Sequence, residues 1–161
     1  MNKERSDLMN KFMELALEEA RKGVEYGDGG PFGAVIVRNG EVIAASHNMV
    51  LKNYDPTAHA EVQAIRKACK LLGSPLIPEC EIYSTCEPCP MCLSAIMWAR
   101  IPTVYYGCTK EDAGKIGFID DYIYHVLDGS DGGELKRISL DRDGCLPLMN
   151  EWENSLDHGT Y

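Results

Sequence analysis

Three residues able to bind a soft divalent metal, and one able to move a proton, stand in two short runs. The runs are His59-Ala60-Glu61 and Pro88-Cys89-Pro90-Met91-Cys92. An imidazole and two thiolates have the ligand softness that zinc selects. Cys89 and Cys92 are three apart, so both can face one point within a helical turn, and helix-end N–H groups favour their thiolate forms. Three protein ligands leave a fourth tetrahedral position for water, the pattern of a catalytic rather than a structural site. Glu61 is then free to take a proton from that water and deliver it elsewhere. Two plainer readings compete. Cys86 could join His59, Cys89 and Cys92 in a closed structural site, which leaves Glu61 unexplained, or Glu61 could be a solvated helix residue.

These runs need elements to hold them. Residues Asp7 to Glu25 carry apolar groups at Leu8, Phe12, Leu15, Ala16 and Ala20, a spacing that predicts an amphipathic opening helix. Gly27-Asp28-Gly29-Gly30-Pro31 ends it. Gly33 to Arg38 and Glu41 to Ser46 read as short strands joined by Asn39-Gly40, a strong type I′ hairpin signal. A second helix is expected over Ala58 to Leu72, with Ala60, Ala64, Ala68 and Leu71 packing on the sheet. Glu81 to Ser84 reads as a third strand, Met91 to Arg100 as a third helix and Thr103 to Tyr106 as a fourth strand. Strand and helix alternating after a hairpin imply parallel crossovers, hence an α/β sandwich with a mixed sheet. The metal-binding runs then open two helices that follow neighbouring parallel strands and converge at one end of the sheet, where open α/β folds hold ligands. Beyond Gly107 the pattern is weaker: a loop over Asp128 to Gly133 and a short helix over Leu146 to Leu156. Residues 1–161 are expected to form a single domain.

The chain has 161 residues, 45% hydrophobic and 25% charged, as in soluble globular proteins. No run of 18 apolar residues would span a membrane, and the N-terminal residues carry no apolar signal core, so a cytoplasmic protein is expected. A net charge of −9 repels phosphate backbones, which argues against a nucleic-acid partner and for a small neutral substrate. Seven cysteines, an odd number, point to thiol or metal chemistry rather than disulfides. Cys69, Cys80, Cys108 and Cys145 read as small buried hydrophobes.

The paired motifs resemble the zinc-dependent nucleobase and nucleoside deaminases, whose signature is H-x-E followed by P-C-x-x-C. The resemblance runs from about Leu8 to Tyr124. It implies a cytidine-deaminase-like three-layer αβα sandwich around a mixed five-stranded sheet, zinc on His59, Cys89 and Cys92, and Glu61 as acid and base. His59 disfavours the free cytidine deaminases, which usually have Cys there, and the short second motif disfavours the riboflavin-pathway branch. Gly29 to Val35, Asp55 to Glu61, Ala95 to Arg100 and Gly117 to Asp121 are similar to small bacterial guanine deaminases and their plant guanosine-specific relatives.

Carried over by position, that resemblance implies several substrate contacts. Asn48 would bind the base, the Ala60 N–H its C6 carbonyl, and Phe32 and Trp98 would wall the pocket. Asp120 would recognise the guanine edge and share in proton transfer. The branch tends to read Gly-Phe-Asp-Asp where this chain has Gly117-Phe118-Ile119-Asp120-Asp121, so Asp121 is an alternative to Asp120. The terminal Tyr161 would reach a partner's site in a homodimer, with 134–161 exchanged between subunits. Bland alternatives remain for each: core packing for Phe32 and Trp98, a turn for Asn48, a solvated loop for the acids and an unstructured terminus for Tyr161. The expected reaction is hydrolysis of guanine to xanthine and ammonia. A guanosine deaminase, a tRNA adenosine deaminase and a non-enzymatic zinc-binding interaction module are the other readings.

Overall fold

The computed structural model describes residues 9–131, 133–155 and 159–161. Helix α1 (Lys11–Glu25) begins at Asn10, whose side chain accepts from the N–H groups of Phe12 and Met13. It therefore starts later than the periodicity suggested; Asp7 and Leu8 lie outside the described residues. Strands β1 (Gly33–Arg38) and β2 (Glu41–His47) form the expected hairpin. Asn39 and Gly40 both have positive φ, 52° and 78°, as a type I′ turn requires. The register slips between Ile36 and Val37, a bulge that lets Ile36 face Ala44 and Val37 face Val42.

The next elements are a short helix α2 (Val50–Asn53), α3 (Ala60–Leu72), β3 (Cys80–Cys86), α4 (Pro90–Trp98) and β4 (Thr103–Cys108). The sheet order is β2-β1-β3-β4, with β1 antiparallel to both neighbours and β3 parallel to β4. The strands feeding α3 and α4 are therefore parallel but not adjacent, because antiparallel β1 lies between them. Period-two alternation sorts the core. Val35, Val37 and Tyr83 pack with Phe12 and Ala16 of α1, whereas Ala34, Ile36, Ala44 and Ile82 pack with Ala60, Ala64, Ala68 and Ile96 of α3 and α4. Helices thus cover both faces of a mixed sheet. Leu71, expected on the sheet, is instead 68% exposed.

A sheet of five strands was expected, and four are present among the described residues. After β4 the chain forms α5 (Lys110–Lys115), α6 (Asp121–Asp128) and α7 (Arg142–Glu153). The β-prone run Tyr122 to Leu127 is helical because Ile123, Val126 and Leu127 repeat at i, i+3 and i+4 behind an acidic first turn. Residues 134–141 are irregular and join no ladder. Helix α7 starts four residues before the expected Leu146 and contains Pro147; Gly132 and Leu156 lie outside the described residues. By compactness the chain divides into Met1–Asp120 and Asp121–Tyr161. Among the described residues of the second unit, none is buried. No helix among the described residues is long and apolar enough to cross a membrane.

Candidate active site

His59 is the N-cap of α3, and Cys89 is the N-cap of α4 with Pro90 in its first turn. Proline suits that place, since a first-turn N–H has no acceptor within the helix. Both caps lie at the same end of the sheet, after the C-terminal ends of β2 and β3. His59, Cys89 and Cys92 offer ligand atoms that all lie within 4.8 Å of one another. His59 Nδ1 stands 3.5 Å from Cys89 Sγ and 3.5 Å from Cys92 Sγ. A tetrahedral zinc with Zn–N near 2.0 Å and Zn–S near 2.3 Å would hold N and S roughly 3.6 Å apart, so the donor set and its spacing fit zinc. Cys86 is not in this cluster; its Sγ lies 3.5 Å from the Thr109 carbonyl oxygen.

The electrostatics separate the thiols. Cys89 is drawn down to about 4 because Cys92 donates to it and His59 lies beside it, which together outweigh burial. Cys92, as the donor and fully buried, is pushed up. Burial raises Cys86 to about 11. The His59 ring is raised by its bond to Cys89. Glu61, only 6% exposed, is raised chiefly by burial. Its Oε2 lies 3.4 Å from Cys92 Sγ, and its Oε1 lies 3.2 Å from Ser84 Oγ. A carboxyl with a raised pKa beside the metal ligands holds a proton more readily than a solvated one and can return it.

Ser84 was not among the residues singled out from the sequence. It sits on β3 with its hydroxyl 2.7 Å from the Cys86 carbonyl oxygen and 3.2 Å from Glu61. Its place on β3 shows only that it is buried, and its partner Glu61 lies 23 residues away in the chain. Thr85 was also missed; its Oγ1 accepts from the Gly33 N–H at 3.1 Å and joins β3 to the start of β1.

Two of the expected substrate residues lie at strand ends near these caps. Asn48 follows β2 and is 4% exposed; its N–H donates to the Phe32 carbonyl at 3.0 Å. Its Oδ1 accepts from the Val50 N–H at 3.1 Å, so it stabilises the turn into α2 while its amide nitrogen keeps two donors. Half-buried Phe32 meets Phe118 edge-on, ring centroids 4.9 Å apart. Phe118 thus brings the 117–120 segment, with Asp120 at its end, to the Phe32 wall. Ala60 is buried in the first turn of α3, and its N–H has no acceptor within that helix.

Trp98, 61% exposed, ends α4, about 9 Å of helix rise beyond Cys92. Asp121 and Tyr161 belong to the second compact unit, and Tyr161 is 68% exposed. All seven cysteines are free thiols; Cys80 is buried as expected, Cys69 is half-buried, and Cys108 and Cys145 are exposed because they lie on the open side of β4 and on α7.

Residues 6–108 match the model of the cytidine and deoxycytidylate deaminase zinc-binding region. The chain is 53% identical over 117 residues to a guanine deaminase of Bacillus subtilis, a match covering 73% of this chain and 75% of the relative. It is 49% identical over 105 residues to a tRNA-specific adenosine deaminase of Agrobacterium fabrum, covering 65% and 68%. The crystal structure of guanine deaminase from Bacillus subtilis superposes with a TM-score of 0.85 at 44% identity, over 95% of this chain and 99% of that one.

Proposed function

Because the chain belongs to the cytidine and deoxycytidylate deaminase family, we propose that it is a zinc-dependent aminohydrolase converting guanine to xanthine and ammonia. One observation carries the choice of guanine. The likeness to the guanine deaminase structure extends over 95% of the chain with a TM-score of 0.85, whereas a tRNA:A34 deaminase structure superposes over 61% of it with a TM-score of 0.59. The net charge of −9 favours a small neutral base over a polyanion.

His59, Cys89 and Cys92 would hold zinc, with Nδ1 as the imidazole donor. When bound, zinc lowers the pKa of a coordinated water from 15.7 toward ~7 and so makes a nucleophile available at neutral pH. Glu61 takes the proton from the attacking water, places it on the purine ring nitrogen beside C2, and helps deliver a proton to the departing amine, so that ammonia leaves instead of an amide anion. Ser84 keeps the Glu61 carboxyl aimed at the metal ligands. The Ala60 N–H binds the C6 carbonyl oxygen. Asn48, its oxygen engaged by Val50, donates to an acceptor on the base. Phe32 and Phe118 form an apolar wall that excludes water from one side of the ring. Asp120 accepts from guanine N–H groups and assists proton transfer, with Asp121 the alternative.

In this reading the two compact units act as one deaminase domain, and the enzyme is a cytoplasmic homodimer. Free thiols suit a reducing compartment. Leu93, Met97 and Trp98 of α4 are 42%, 65% and 61% exposed, an apolar surface that suits a second copy. Trp98 would wall the pocket, and Tyr161 would reach the site of the partner subunit on an exchanged segment 134–161.

The deciding experiment is ammonia release by zinc-loaded protein given guanine, guanosine, adenine, cytosine or a tRNA anticodon stem-loop. Turnover of guanine alone is expected. Turnover of guanosine alone would keep the zinc chemistry and change the substrate. Turnover of the RNA alone would overturn the reading from charge. Silence on all five would favour a zinc-binding module without catalysis.

A further inference from the structure

His47 is a buried titratable group with no part in the chemistry above. It is 8% exposed at the end of β2, and both of its ring nitrogens face carboxylates. Nε2 lies 2.7 Å from Asp28 Oδ2, and Nδ1 lies 3.1 Å from Glu19 Oε2. The acids sit on opposite edges of the ring, so they cannot converge on one metal ion. Two lysines complete the cluster: Lys22 on α1, 2.8 Å from Glu19, and Lys52 on α2, 3.5 Å from Asp28. Both lysine side chains are about half exposed and screened by water, so the ring is the buried partner of both acids.

An ionised carboxylate only accepts hydrogen bonds, and a neutral imidazole carries a single N–H. Asp28 is held below its ordinary range chiefly by the His47 bond. Glu19 is held low by Lys22 and His47 although burial opposes it. The ring nitrogens stand between the two acids and tie α1 to the 27–31 loop, beside the donors that Lys22 and Lys52 supply.

The ring is tied to residues read above as contacts of the base. It lies on Gly23, where a Cβ would come within 2.7 Å of Cδ2. The Asp28 carbonyl accepts from the N–H groups of Leu51 and Lys52 at 3.0 Å each. Gly29 has no room for a Cβ because Asn48 fills that space, and a Cβ on Gly30 would meet the rings of Phe118 and Phe32. Asn48, next to His47, holds the Phe32 carbonyl.

We propose that His47 is a positioning residue: its ring, held between Glu19 and Asp28, keeps the 27–31 loop, Asn48 and Phe32 in the arrangement that binds the base. The proposal rests on the reading of Asn48 and Phe32 as substrate contacts. Without the ring both ties are lost, so base affinity should fall about tenfold.

The test compares KM and kcat for guanine in the zinc-loaded wild type, His47→Gln and Glu19→Gln. KM should rise about tenfold in His47→Gln and by less in Glu19→Gln, which loosens one tie only, the loss falling on KM rather than on kcat. A His47→Gln variant with the wild-type KM, or one whose loss falls on kcat, would overturn the proposal. A second readout does not depend on turnover: the Asn48 side-chain amide and the Gly29 and Gly30 backbone amides should shift between the wild type and these variants. If they stay still, His47 does not position them, whatever the substrate. If they move while guanine is not consumed, the positioning stands and the substrate assignment fails.

Discussion

Glu61 and the three metal ligands make separable demands, so substitution should separate them. Glu61→Gln keeps the volume and removes the proton carrier; kcat should drop by about 10²–10⁴ while the zinc content stays at the wild-type level by metal analysis. Cys89→Ser should lose the zinc along with activity, because a hydroxyl is a poor ligand for this donor set. The thiols differ as sharply. In protein stripped of zinc, Cys89, held down to about 4, is a thiolate over the whole range above that value and becomes inert only when pH falls through it. Cys86, held up to about 11 by burial, is still a thiol at neutral pH. Alkylation with iodoacetamide at pH 6, read by peptide mass spectrometry, should therefore mark Cys89 and spare Cys86, and zinc should protect Cys89.

At the scale of elements, the glycines on the loops and strand ends set how closely neighbours approach. A Cβ on Gly33 would run into the Ala16 carbonyl of α1, which is backbone and cannot turn aside. Gly33→Ala should cost about 1–3 kcal/mol of stability in a urea melt. Gly29→Ala would instead push against the Asn48 side chain, so its effect should appear as a raised KM for the base. The hairpin, α3, β3 and α4 were legible in the sequence because period and turn chemistry agree there: Asn39-Gly40 can only turn one way, and Ala60, Ala64 and Ala68 all reach the sheet. The zinc ligands and Glu61 were legible because they sit in two local runs. Ser84, Thr85 and His47 were not, because their partners lie 23, 52 and 28 residues away and no local spacing records such contacts. The fifth strand was expected from resemblance alone and no run beyond Gly107 carried a pattern for it; there Ile123, Val126 and Leu127 follow a helical spacing.

For the whole molecule, charge and exposed surface make the predictions. A neutral base feels little of a field of −9 charges, so kcat/KM for guanine should change less than about twofold between 50 and 300 mM salt. A polyanionic substrate would show a steep slope over the same range. Light scattering should return twice the 17.9 kDa chain mass if α4 meets a second copy, and Met97→Glu should shift it toward the single-chain value. The site also divides its labour by place. The atoms that hold metal and proton stand on α3, β3 and α4, while Phe32, Asn48 and Phe118 stand on connections at the ends of β1, β2 and α5. Connections can be rewritten without rebuilding the core beneath them. A single catalytic engine can then be retargeted from one aminated ring to another, and relatives that share about half of their aligned residues with this chain can carry the names of different substrates.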